Sequence, residues 1–370
     1  MNMKEKSGFF AGVLRYLNHI FIDGLSGMAL GLFATLIVGT ILAQIAALIP
    51  GQIGYFVGAA ASLAKALTGA GIGVGIAAKY KRAPLVTVSC AVAGLVGAFS
   101  AKIIAGTVLT DGNVLLAGPG EPLGAFLAAF TAAEIGALVS GKTKLDILLT
   151  PVCCIASGSA VGLLIGTPIS NMMTALGSLI NWGTVQQPVL MGIVVSAVMG
   201  MALTLPISSA AIGVILGLSG TAAGAACIGC CAQMIGFAVI SFRENKVGGL
   251  VSQGLGTSML QMGNIVKNPR VWIAPTLASA ITGPIATCVF KMEMNGSPIS
   301  SGMGTCGLVG PLGVYTGWLN DVASGAKAGI TATDWLGLIL ICFVLPAVLS
   351  LVIHFFVRKA GWVKDGDLKI

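Results

Sequence analysis

Long apolar runs, separated by short polar or glycine-rich breaks, recur along the whole chain. A run of roughly 17 residues or more, rising 1.5 Å per residue as a helix, can cross the ~30 Å hydrocarbon layer. Such runs fall at residues 29–49, 53–78, 85–108, 122–139, 145–165, 189–205, 210–242, 271–290 and 336–356. The seventh is broken near Ser219-Gly220, and a weaker, Gly-rich run lies at 306–318. The pattern predicts an all-α polytopic membrane protein with about ten transmembrane helices.

Two stretches repeat the same punctuation. In the first, Gly69-Ala-Gly71 precedes Arg82-Ala-Pro84, an apolar run, Asp111-Gly112 and Gly118-Pro-Gly120-Glu121-Pro122. In the second, Gly254-Leu-Gly256 precedes Lys267-Asn-Pro269, an apolar run, Asn295-Gly296 and Gly302-Met-Gly304-Thr305. The landmarks are offset by 185, 185, 184 and 184 residues. Paired Gly/Pro-interrupted apolar segments at matching positions point to a transporter's midplane site. The expectation is two repeats, each with a re-entrant or broken-helix element, near 110–121 and 295–305. The implied organisation is an N-terminal interfacial segment (1–24), a first repeat (25–167), an external linker (168–186), a second repeat (187–357) and a tail (358–370).

Composition agrees: 56% of residues are hydrophobic and 9% charged, with mean hydropathy +0.98. The net charge of +8 does not indicate nucleic acid, because the basic residues form no stripe and no recognition module is present. They read as topology signals. Lys4, Lys6 and Arg15 place the N-terminus in the cytoplasm, and Arg358, Lys359, Lys364 and Lys369 the C-terminus. Lys79, Lys81 and Arg82 make another basic loop, as do Lys142 and Lys144. An inverted repeat would put Arg82-Ala-Pro84 and Lys267-Asn-Pro269 on opposite faces, yet both look cytoplasmic. Inverted and parallel duplication therefore both stay open.

Ionisable groups at membrane depth are functional hypotheses by default. Glu121 is the foremost, lying between Gly120 and Pro122 where a half-helix begins; a carboxylate suits that N-terminus, and in a cavity it can accept hydroxyl hydrogen bonds from a polyol. Gly118, Gly120, Pro122, Asp111 and Asn113 share its segment, and Asn295, Gly302, Gly304 and Thr305 are the counterparts, with a hydroxyl replacing the charge. Glu134 reads either as a proton carrier or as a partner of Lys142, the pairing being favoured. Asp146 and Asp334 read as helix N-terminal acids. Cys227-Ile-Gly-Cys230-Cys231 lacks nearby His or acidic residues to complete a metal site, and His19 and His354 read as interfacial. No catalytic residue, metal or cofactor is predicted.

The block Gly254-Leu-Gly-Thr-Ser-Met-Leu-Gln261, Lys267-Asn-Pro-Arg-Val-Trp-Ile-Ala-Pro275, Gly283-Pro-Ile-Ala-Thr-Cys-Val-Phe-Lys-Met292 and Gly302-Met-Gly-Thr-Cys-Gly-Leu-Val-Gly310 resembles the PfoR-like membrane proteins. These are grouped with the sugar-translocating IIC components of the phosphoenolpyruvate-dependent phosphotransferase system. Gly118-x-x-Glu121-Pro122 is similar to the G-x-x-E-P motif of glucose-type IIC components, whose glutamate binds sugar hydroxyls; there the motif lies late in the chain. The resemblance implies a sugar-type permease lacking fused IIA and IIB domains, with separate IIA/IIB phosphoryl donors as partners. It also implies a homodimer in the bacterial inner membrane, surrounded by lipid. Two other readings stay open: a stand-alone proton- or sodium-coupled transporter of a small polar solute, and a membrane-embedded solute-sensing regulator.

Overall fold

The computed structural model describes Tyr16 and residues 19–110, 112–296 and 298–370. Lys4, Lys6, Arg15 and Asp111 among the residues discussed above lie outside the described set. In chain order the helices are α1 (Leu25–Leu32), α2 (Val38–Leu48), α3 (Gly51–Ala66), α4 (Thr68–Lys79), α5 (Pro84–Ala98), α6 (Ser100–Ile104) and α7 (Pro122–Val139). After them come α8 (Asp146–Thr184), α9 (Pro188–Thr204), α10 (Ser209–Ile215), α11 (Gly220–Ile240), α12 (Phe242–Val251), α13 (Met262–Lys267) and α14 (Ile273–Pro284). The last are α15 (Val309–Ala323), α16 (Ala332–Ile339) and α17 (Leu345–Lys359). A single small hairpin among the described residues, β1 (Leu109–Thr110) with β2 (Asn113–Val114), interrupts them.

Six helical stretches of the described residues are long and apolar enough to cross a membrane, and a seventh if α3 and α4, bent by 58° at their break, form one span. Two shorter apolar helices, α5 and α9, add to these. The protein is thus an all-α polytopic membrane protein, and each long apolar run of the sequence finds a helix. The break near Ser219-Gly220 is present, since α10 stops at Ile215 and α11 starts at Gly220. The weak run at 306–318 resolves into a tight turn, Cys306–Leu308, leading into α15. Proline starts α5, α7 and α9, where its missing N–H costs no helix hydrogen bond. Thr331 and Asp334 form a reciprocal capping box at the start of α16.

The chain folds into two compact units. The first holds the described residues up to Leu36 and Ser62–Ile169, the second Ile37–Ala61 and Ser170–Ile370. The units are therefore not two consecutive halves, because residues 37–61 belong with the later one. In the first, α4 packs on α1, α5 and α7, and α5 on α7. Small residues let the backbones touch, which is how membrane helices gain packing when lipid is as apolar as they are. A Cβ at Gly31 would collide with the Gly71 carbonyl across the α1–α4 contact.

In the second unit α11 is the central helix, packed on α9, α14 and α17 and buried almost all round. Three apolar stretches run the length of this unit: α11, Pro269–Val289 and Ala332–Lys359. At one end lie Arg243, Lys246, Lys267, Arg270, Arg358 and Lys359, together with the tail. There the tail's main chain is gripped: Glu244 accepts from Gly366 N (3.1 Å) and Leu368 N (3.0 Å). Asn245 and Gln261 donate to the Leu368 carbonyl (2.8 and 2.9 Å), and Asn264 to that of Lys369 (3.0 Å). The Leu368 side chain completes an apolar cluster with Phe237, Ile265, Val271 and Val357.

Candidate functional site

Glu121 stands at the start of α7 with extended backbone (φ −101°, ψ 114°), immediately before Pro122. Its N–H donates to the Ala98 carbonyl at the end of α5 (2.7 Å). Gly120 adopts φ +73°, and a Cβ there would press within 2.7 Å of the Ala98 carbonyl oxygen and methyl. Only glycine combines that backbone with that approach. Gly120, Glu121 and Pro122 therefore form one rigid corner. The side chain of Glu121 is half-buried, with Oε1 shielded from solvent. Asn113 and Gly118 are exposed, on the β-hairpin and in the loop after it, so they do not join this corner. Lys102 ties that loop down by donating to the Ala117 carbonyl (2.6 Å). Residues 106–110 and 112–121 are non-helical, as expected of a broken element.

The counterpart block belongs to the second unit and is also non-helical from 290 to 296, followed by short 3₁₀ turns. Gly302 is pressed on Ser209, whose hydroxyl donates to the Gly302 carbonyl (2.6 Å). Gly304 (φ +52°) packs on Cys230, 2.7 Å from a built Cβ to the backbone. Thr305 is fully buried and donates to the Gly254 carbonyl (2.5 Å). The landmarks of each stretch thus converge within their own unit. Gly69 and Gly120 both abut Ala98, while the Gly254 carbonyl accepts from the Thr305 hydroxyl.

Asn295 is apart from Gly302, Gly304 and Thr305. Its Oδ1 accepts from Gly220 N at the start of α11 (3.0 Å), and its Nδ2 donates to Asp321 on α15 (3.1 and 3.2 Å). It forms part of the wall of a cavity of about 590 Å³, along with Lys291, Glu293, Trp318, Asp321 and Lys327. These residues come from two short stretches, 291–295 and 318–327.

Glu134 requires a correction. It pairs not with Lys142 but with Arg82 (2.5 Å) and His19 (3.2 Å). After α7 ends, Ser140 is extended and Gly141 turns with φ +75°, which carries Lys142 off the helix face. His19 stacks on Tyr80 at 4.1 Å, and the Tyr80 hydroxyl donates to the His19 carbonyl (2.7 Å). Burial, with the Glu134 carboxylate next, pushes the Tyr80 hydroxyl well above the ordinary tyrosine range, so it remains a donor. Glu121 and Glu134 are thirteen residues apart on α7, roughly 20 Å along its axis, and cannot share one site. Asp146 behaves as expected, accepting from Gly141 N (2.8 Å) and Thr150 (2.6 Å). Cys227, Cys230 and Cys231 are buried in α11, and no cluster of three or more metal-ligating side chains occurs among the described residues.

Multiple apolar spans with non-helical, glycine-cornered breaks define an all-α polytopic membrane protein. The chain belongs to the phosphotransferase-system EIIC family: a family model described as "Phosphotransferase system, EIIC" matches residues 22–370. A search of curated proteins gives no significant match.

Proposed function

We propose that this EIIC-family protein translocates a small, neutral, sugar-type solute, with separate IIA and IIB proteins supplying the phosphoryl group on the cytoplasmic side. The observation that carries the site is the Glu121 corner. A carboxylate at the start of an 18-residue apolar helix, locked by Gly120 and Pro122, is set to accept solute hydroxyls once its shielded oxygen is opened. Charge-assisted hydrogen bonds are about twice as strong as neutral ones. The end of the second unit bearing Arg243, Lys267, Arg358 and the tail is assigned to the cytoplasm on its excess of basic residues. The 184–185-residue offset between matching landmarks supports duplication of one ancestral element. A homodimer in the bacterial inner membrane is the assembly expected of the family.

The test is uptake and binding by purified protein with Glu121→Gln. That change keeps the shape and one acceptor and removes the charge, so solute affinity should fall about tenfold or more, with folding preserved. Phosphorylated product should accumulate only when phosphoenolpyruvate and the soluble donors are added. Uptake by proteoliposomes holding this protein alone, driven by a proton or sodium gradient, would instead make it a secondary transporter. Equal binding by wild type and Glu121→Gln removes Glu121 from the site.

A further inference from the structure

The cavity beside Asn295 plays no part in the Glu121 reading, and its lining is chemically mixed. Lys327 and Asp334 neutralise each other at 2.8 Å, and the Lys327 ammonium also rests 5.7 Å over the Trp318 ring. Trp318 is held edge-on by Trp335, with ring centres 5.8 Å apart, which makes that wall rigid. Asp321 and Glu293 remain. Both take hydrogen bonds from the one Nδ2 of Asn295, at 3.1 and 3.2 Å for Asp321 and 3.4 Å for Glu293. Two carboxylates have about eight lone-pair positions between them, so a single amide occupies only part of that capacity, and both carboxylates line the cavity. Lys291, exposed on the rim, supplies a donor.

We propose that this cavity is a binding site for a neutral, hydroxyl-rich solute of sugar size, on the face of the second unit opposite the tail. The volume lies in the ~300–1,000 Å³ range of small-molecule sites. A neutral polyol offers donors to Asp321 and Glu293 and acceptors to the lysines, and adds no charge of its own. A phosphorylated sugar would bring its anion beside two carboxylates and be rejected. The wall is fixed, since Met294 N donates to the Gly220 carbonyl (3.0 Å) while Asn295 takes the Gly220 N–H. Pro269–Val289, 21 residues long and so about 32 Å as a helix, separates this cavity from the basic end. The acidic cavity thus suits capture of the unmodified solute, and the basic end suits an anionic product. The assignment rests on the sugar-permease reading but not on Glu121.

The experiment is equilibrium dialysis of radiolabelled D-glucose, D-galactose, D-fructose and N-acetyl-D-glucosamine against purified wild type, Glu293→Gln, Asp321→Asn and Glu121→Gln, paired with uptake in proteoliposomes. Glu293 is exposed, so its variant tests the cavity without risk to folding. The expected result is a sugar whose binding is weakened about tenfold by each cavity variant. Glucose 6-phosphate should not compete, and Glu121→Gln reports separately on the Glu121 corner. Sugar binding unchanged by both Glu293→Gln and Asp321→Asn overturns the cavity assignment and leaves the permease reading standing. Displacement of the sugar by phosphatidylethanolamine in nanodiscs makes the cavity a lipid headgroup niche and also overturns it. No binding and no uptake of any of the four sugars sinks both.

Discussion

Replacing Leu368 by alanine should release the C-terminal tail while the membrane helices stay folded. Leu368 is 1% exposed and sits in a cluster with Phe237, Ile240, Ile265, Val271 and Val357. Leucine-to-alanine changes in packed cores cost about 2–5 kcal/mol. The tail lies at the end of its unit and can partly collapse on the gap, which puts the cost near 2–3 kcal/mol. At ~1.4 kcal/mol per decade, the docked-to-undocked ratio falls by roughly 30- to 100-fold. The readout is amide exchange at Gly366, Leu368 and Ile370, whose N–H groups are donated to Glu244 and Asn245. Amide protection tracks the free energy of local opening, so protection at these three sites should drop by that factor while α11 and α14 keep theirs. Lys369→Ala is the control, because its side chain is exposed and its hydrogen bonds are made by the main chain. Unchanged protection in Leu368→Ala, or equal loss across α11, would refute the picture of a tail anchored through its main chain and one apolar side chain.

Three further outcomes are expected. Glu134→Gln should lower stability in detergent by about 2 kcal/mol, the cost of breaking a half-shielded pair with Arg82 and His19; a double-mutant cycle with Arg82→Gln must be non-additive, and additivity would break the assigned pair. Gly31→Leu should wedge α1 from α4 and cost about 1–3 kcal/mol or more, seen as loss of monodisperse protein, whereas Leu30→Val at an exposed position should be silent. Thr331→Ala removes the α16 capping box and should lower the melting temperature by an amount equivalent to about 1 kcal/mol, with solute binding unaffected.

The helices were legible because hydropathy is the dominant signal in lipid, where backbone groups must be satisfied within the segment. Pro122 marked a start correctly, and the Ser219-Gly220 break was visible as a glycine beside a polar residue. The non-helical break ahead of α7 was legible too, since Gly118, Gly120 and Pro122 punctuate an apolar chain. What could not be read was partnership across the chain. Glu134 meets His19 and Arg82 from 115 and 52 residues away, and the nearest lysine in sequence was the wrong guess. Residues 37–61 fold with the later unit because packing, not order, decides which apolar faces match. The tail's docking was invisible for another reason: Glu244, Asn245, Gln261 and Asn264 read its main chain, which carries no sequence signature.

The duplicated landmarks also explain why the two blocks cannot carry the same chemistry. Each ends in a glycine-cornered turn that locks onto its own unit, and each is followed by a residue that could bear a polar group. Glu121 is half-buried at a helix N-terminus, where a negative charge is favoured. Thr305 is fully buried, with its hydroxyl committed to the Gly254 carbonyl. A carboxylate at 305 would lose its hydration and face a carbonyl oxygen, a repulsion that a buried charge without a partner cannot sustain. The same backbone device can therefore be kept in both units while only the first carries a carboxylate at that position. The asymmetry follows from burial at one position, and Thr305→Ala should accordingly cost stability more than solute affinity.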